Sequence, residues 1–146
     1  LTVGAWGTGL VPLSMVNEVS DVLSIKAYYQ GNLAPASEAL YEQQLKAFFE
    51  RQLDEDLAFA RKVGKPLFVS ECCWGNLDDA ARAPDSRYEL EQISRHGLGF
   101  LAYVMHHSRM PDSHGLDGGP VGLPQDLSFI RKDGSLRSGH EFFNEF

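Results

Sequence analysis

Between Gly64 and Gly75 the chain reads GKPLFVSECCWG. Gly64 and Lys65-Pro66 are breakers, so a helix arriving from the N-terminal side stops there and the chain turns. Leu67 to Cys72 then reads as a strand. Its apolar run, Leu67 to Val69, passes almost at once into a carboxylate, Glu71. A strand entered from a helix is the unit of an α/β sheet. Its C-terminal end is where such sheets carry chemistry. The only two cysteines of the chain, Cys72 and Cys73, follow directly. A bond between neighbours would close a strained ring, so both are read as packing residues rather than as a disulfide.

The helix before this strand spans Ser37 to Val63. Ser37 suits an N-cap, with Glu38 just inside where a negative charge complements the helix dipole. Leu45, Phe49, Leu53, Leu57 and Ala60 recur at steps of three and four and form one apolar stripe. Earlier still, DVLSIKAYY, Asp21 to Tyr29, is rich in β-branched and aromatic residues and reads as a strand. Pro12 to Val19 reads as a short helix with proline near its start. Leu1 to Trp6 reads as a first short strand running into GAWGTG. Its order is G-x-x-G-x-G, not the dinucleotide-binding order, and no phosphate-cradling helix clearly follows.

Downstream, Asp85 to His96 reads as a helix capped by Asp85 and ended by Gly97. Leu98 to Met105, LGFLAYVM, is almost wholly apolar and suits a strand buried on both faces. His106 to Gln125 is a loop rich in glycine and proline. Asp133-Gly134 marks a hairpin-like turn, and a last helix is expected from Ser138 or Gly139 to Phe146. Strands alternating with helices imply right-handed crossovers and a parallel sheet. An open doubly wound sheet and half of an eight-stranded barrel both fit this order.

At 146 residues, 43% hydrophobic and 23% charged, the chain has the composition of one globular domain spanning 1–146. A chain of this size buries roughly two-thirds of its unfolded surface. The net charge of −7 argues against nucleic acid or an anionic membrane as partner, since both need a basic footprint. No apolar run approaches the ~20 residues of a membrane span. No signal or transit peptide is legible from Leu1 onward.

The expected strand ends gather one set of side chains. The first strand ends at Trp6, and the second at Lys26 and Tyr28. The third ends at Glu71, with Trp74 close behind, and the fourth at Tyr103, His106 and His107. The opposite rim offers only turn chemistry, Gly64-Lys65-Pro66 and Gly97. Aromatic rings beside a carboxylate suit a carbohydrate. The C–H faces of a sugar stack on indole or phenol, and its hydroxyls need hydrogen-bond partners.

These segments together resemble the cellulase-like glycoside hydrolases of clan A, family 5 in particular. GKPLFVSECCWG resembles their seventh strand, in which Lys-Pro, an apolar run and Ser/Thr-Glu are often followed by Gly-Trp. DVLSIKAYY resembles the sixth, LTVGAWG the fifth and GLGFLAYVMHHS the eighth. FIRKDGSLRSGHEFFNEF resembles the closing element. The resemblance implies an α/β fold, the C-terminal half (strands 5–8) of a (β/α)8 TIM barrel. It implies retaining hydrolysis of a β-glycan such as β-glucan or β-mannan, with no cofactor, and an extracellular setting. Carried over, Glu71 becomes the catalytic nucleophile and Tyr28 the phenol that orients it. Trp6, Trp74, His106 and His107 become substrate contacts. Tyr103 takes a platform position that is usually tryptophan, and Lys26 stands where the family usually has histidine.

Retaining glycosidases use two carboxylates roughly 5–5.5 Å apart. The resemblance puts the second, the acid/base, after Asn at the end of the fourth strand, on the N-terminal half of the barrel. Asn17-Glu18 is the right dipeptide, but Glu18 lies only three residues before the Asp21 strand. A parallel crossover needs about a dozen. Asn144-Glu145 falls in the expected last helix. The expected partners are therefore an oligo- or polysaccharide, and either the N-terminal half-barrel or a second copy joined through sheet edges. Three other readings stand beside this one. Lys26 could form a Schiff base with a carbonyl substrate, although a neighbouring Glu71 would hold it protonated. His106, His107, Asp112, His114 and Asp117 crowd one loop, without the spacing of a compact zinc site. A non-catalytic carbohydrate-binding or interaction fragment would share the same fold and rim.

Overall fold

A computed structural model describes residues 1–4, 10–29, 39–73, 79–103, 129–131 and 133–146. Helix α2, Ala39–Val63, buries the stripe expected of it. Phe49, Leu53 and Ala60 are buried, with Leu45 and Leu57 packed beside them. It ends at Gly64, whose φ of 69° a side chain would strain. The Gly64 amide donates to the Arg61 carbonyl (3.2 Å) and the Lys65 amide to that of Ala60 (3.0 Å), a Schellman closure. Ser37 and Glu38 lie outside the described residues.

The strand decided by GKPLFVSECCWG is β2, Leu67–Cys72, with the bounds expected. It is the centre of a three-stranded parallel sheet in the order β1-β2-β3. β1 is Leu23–Ala27 and β3 is Phe100–Ala102. Gly4 adds a single parallel bridge to Ser24 of β1. The expected first strand is thus one bridged residue, and its continuation lies outside the described residues. β1 is also shorter than Asp21 to Tyr29, which leaves Tyr28 and Tyr29 just past its end.

One irregularity positions the site. Ile25 pairs with Val69, but the next residue, Lys26, pairs with Glu71. Ser70 is therefore an extra residue on β2, a bulge. On the other side Val69 pairs with Phe100 and Cys72 with Ala102, so Ser70 and Glu71 together oppose one residue of β3 and β2 carries an extra residue there too. The Ser70 hydroxyl donates to the Ile25 carbonyl at 3.1 Å and satisfies a backbone acceptor where the ladder slips. In an unbulged ladder Lys26 would face Ser70. The bulge sets Glu71 opposite Lys26 instead.

Helix α1 is Leu10–Asn17, shifted toward the N-terminus from the expected 12–19, and Glu18 and Val19 form a turn. Helix α3, Asp79–Arg95, begins six residues before the expected Asp85 and runs through Pro84. Proline forfeits a backbone hydrogen bond there. The first turns are held by side chains instead. The Arg82 guanidinium is buried and contacts Asp79 at 3.0 Å and His140 at 3.2 Å, and lies 4.4 Å from the centre of the Phe129 ring. Arg137 reaches the same Asp79 oxygen at 2.7 Å. This network ties α3 to the C-terminal segment.

β3 departs most from expectation. Leu98 and Gly99 precede it, Val104 and Met105 of the expected run lie outside the described residues, and Leu101 is 60% exposed rather than buried. It pairs with β2 on one side and ends the described sheet, so its outer edge and one face lack cover among the described residues. The Asp133-Gly134 turn forms as expected, closed by an antiparallel bridge between Ile130 and Leu136. The last helix is a short 3-10 turn, Glu141–Glu145, entered from Gly139 at φ 82°. Leu13, Leu23, Ile25, Ala27, Val69 and Cys72 meet the apolar faces of α2 and α3 in one core. No helix among the described residues is long and apolar enough to cross a membrane.

Candidate active site

The site lies at the C-terminal ends of β1 and β2. Lys26 and Glu71 are register partners across the two strands. Their side chains meet, Lys26 Nζ to Glu71 Oε2 at 2.6 Å, each about a quarter to a fifth exposed (25% and 21%). Tyr28 lies two residues beyond Lys26 and shares its side of the strand. Its hydroxyl donates to the other oxygen, Glu71 Oε1. Glu71 thus has a cation on one oxygen and a phenol on the other. Both contacts orient the carboxylate, and a carboxylate oxygen still has a lone pair to spare after accepting one bond. Burial, and then the hydrogen bond to Glu71, hold the Tyr28 phenol above the ordinary tyrosine range. Tyr28 therefore remains a donor at every physiological pH.

Tyr103 follows β3 and is anchored by its amide, which donates to the Cys72 carbonyl at 2.8 Å. The structure thus brings Lys26, Tyr28 and Glu71 into contact and sets Tyr103 at the end of the neighbouring strand. Trp6, Trp74, His106 and His107 lie outside the described residues, as do Asp112, His114 and Asp117. Glu18 is exposed in the turn that leads into β1, at the opposite end of that strand from Tyr28. Glu145 is engaged with Arg87 at 2.6 Å. Neither belongs to this site.

Behind the site lies a residue that sequence reading missed. Glu89 of α3 is buried and accepts two backbone hydrogen bonds, from Tyr29 N at 2.9 Å and from Cys73 N at 2.6 Å. Burial pushes its carboxyl up to about 8, against the two amides, which pull it down. Cys73 has a φ of 66°, a left-handed conformation that costs a non-glycine residue roughly 1–2 kcal/mol. A signal for Glu89 existed. It shares the buried register of α3 with Ser86, Leu90 and Ile93, where a solvated charge has no place. Ser70 gave no such signal, because a bulge is a property of pairing and not of one strand's sequence.

Cys72 and Cys73 are free and buried, as expected of packing residues. With Glu89 they bring ligand-type atoms within 4.8 Å of one another. Both Glu89 oxygens already accept amides, and burial raises the Cys73 thiol well above its usual range. A metal needs thiolates, and the raised Cys73 thiol counts against one at this cluster.

Fold and site together define a mixed α/β protein whose parallel sheet presents a lysine–glutamate–tyrosine cluster at its strand ends. No protein-family model matches the chain, and no curated protein is detectably similar to it in sequence.

Proposed function

We propose that the chain is the C-terminal half of a cellulase-like (β/α)8 barrel and acts in retaining hydrolysis of a β-glycan, with Glu71 as nucleophile. The observation that carries this is the contact between Tyr28 and Glu71 across two adjacent parallel strands. The consecutive order of the three parallel strands is compatible with neighbouring staves of such a barrel. A Glu71 oxygen attacks the anomeric carbon and forms a glycosyl ester as the bond to the leaving oxygen breaks. An acid/base carboxylate from the preceding half of the barrel protonates that oxygen. It then takes a proton from the water that hydrolyses the ester. Tyr28 and Lys26 hold Glu71 aimed before attack. The family resemblance assigns Trp6, Trp74, Tyr103, His106 and His107 as sugar contacts. The other half-barrel, or a second copy of the chain, completes the sheet.

The Lys26–Glu71 ion pair favours a second reading. It neutralises the carboxylate, as suits a site that binds a sugar without cleaving it. The same pair counts against a Schiff base, which needs a neutral amine. The test uses aryl β-glycosides whose phenolate departs without a proton, so that no acid carboxylate is needed. The wild-type chain is expected to release phenolate and Glu71→Gln to lose at least about 10³-fold while staying folded. Equal rates in the two would remove Glu71 as nucleophile. Saturable sugar binding with no release by either protein would establish the binding reading.

A further inference from the structure

We propose that Glu89 is a positioning residue for this site, a buried carboxylate that clamps the ends of β1 and β2 so that Tyr28 and Glu71 meet. The proposal rests on the reading of Glu71 as the reactive group, but its geometry stands apart from that reading. Each Glu89 oxygen accepts one backbone amide, and the two amides belong to different strands. Tyr29 is the residue after Tyr28, and Cys73 is two residues after Glu71. One side chain on α3 therefore fixes both strand ends just beyond the last ladder pair, Ala27 with Cys72. The ladder itself gives no hold there.

The Cys73 conformation supports the clamp. A non-glycine residue stays at positive φ only where its surroundings hold it. Here the bond to its own amide does so, at 2.6 Å. A fully buried acid kept only for packing would be replaced without loss by an apolar residue. Glu89 instead satisfies two amides that are otherwise unpartnered by the ladder.

The clamp also carries a pH dependence. Among the described residues, the groups set against Glu89 are the Tyr28 phenol and the Tyr29 amide just past β1, the Cys72 and Cys73 thiols at the end of β2, and Asp85 on its own helix. No cation is among them, so burial dominates and the proton leaves Glu89 near pH 8. With the proton on, one oxygen becomes a hydroxyl and its grip on an amide weakens. The site is therefore best ordered above that pH.

The experiment is amide and hydroxyl NMR of the wild-type chain and of Glu89→Gln. In the wild type, the Tyr29 and Cys73 amide protons are expected to move downfield together with one midpoint near pH 8. Glutamine keeps one acceptor but turns a donor toward the second amide. In that variant the pH response is expected to vanish, one amide to lose its downfield shift, and the slowly exchanging Tyr28 hydroxyl proton to disappear. With a hydrolysable aryl glycoside, kcat is expected to fall about 10²-fold at constant KM, the scale of a misplacement near 1 Å. A purely structural Glu89 would lower stability and leave the Tyr28 hydroxyl signal and the kcat-to-KM pattern unchanged, which overturns the proposal. Should Glu89→Gln not fold, the wild-type titration decides alone, and two amides that do not titrate together refute the clamp. If the amides and the Tyr28 signal respond as stated but neither protein hydrolyses a glycoside, the clamp holds and the glycosidase reading falls.

Discussion

Replacing Glu89 by glutamine is expected to erase a slope of stability against pH that the wild-type chain carries. In the unfolded chain a glutamate loses its proton near its ordinary value of 4.5, whereas in the fold burial holds the Glu89 proton to about 8. Between those values the folded state binds one more proton than the unfolded state, so stability falls as pH rises. The contribution is fully present below 4.5 and fully lost above about 8. At about 1.4 kcal/mol for each pH unit, this comes to on the order of 5 kcal/mol. That is a large part of the roughly 5–15 kcal/mol by which a domain is stable. Glutamine cannot titrate, and its mispaired amide adds a constant penalty of about 1–3 kcal/mol. Urea unfolding of both proteins at pH 5, 6, 7 and 8, with the variant's stability subtracted, isolates Glu89 from every other group. The difference is expected to shrink steadily with pH and to end near zero or below. A flat difference would refute the raised carboxyl. One that grows with pH would mean that the Tyr29 and Cys73 amides outweigh burial.

Two other substitutions separate the site from its scaffold. Tyr28→Phe removes the donor to Glu71 Oε1 and leaves the backbone alone. Unfolding free energy is expected to change by about 1 kcal/mol and glycoside turnover to fall by far more, read by urea titration and by phenolate release. Arg82→Met strips a buried guanidinium from Asp79, His140 and Phe129. About 3 kcal/mol of stability is expected to be lost, with no direct effect on the Lys26–Glu71 pair.

Much of this fold is written locally. The α2 stripe, the glycine stops at Gly64 and Gly97, the Asp133-Gly134 turn and the β2 bounds all follow from periodicity and turn chemistry. What was not legible depends on partners. The start of α3 was misplaced because Pro84 is a helix breaker in isolation. Here Asp79, Arg82 and Arg137 hold the turn before it. β3 was overdrawn because an apolar run does not reveal that its strand lies at an edge. In the site, Lys26, Tyr28 and Glu71 are each legible along the sequence, but their meeting requires the bulge as well as adjacent parallel strands. The bulge at Ser70 and the clamp at Glu89 are not legible there. Each is a relation between segments distant in sequence, and no pattern along one segment encodes it.

The most direct test of Glu71 is covalent. An aryl 2-deoxy-2-fluoro-β-glycoside with a good leaving group needs no acid to lose its phenolate. The fluorine slows breakdown of the ester, so the glycosyl–enzyme accumulates. Intact mass and peptide mapping of the treated protein are expected to show one sugar on the peptide that contains Glu71, and none in Glu71→Gln. A label on any other residue, or turnover of the unfluorinated glycoside with no trapped ester, would contradict Glu71 as the nucleophile.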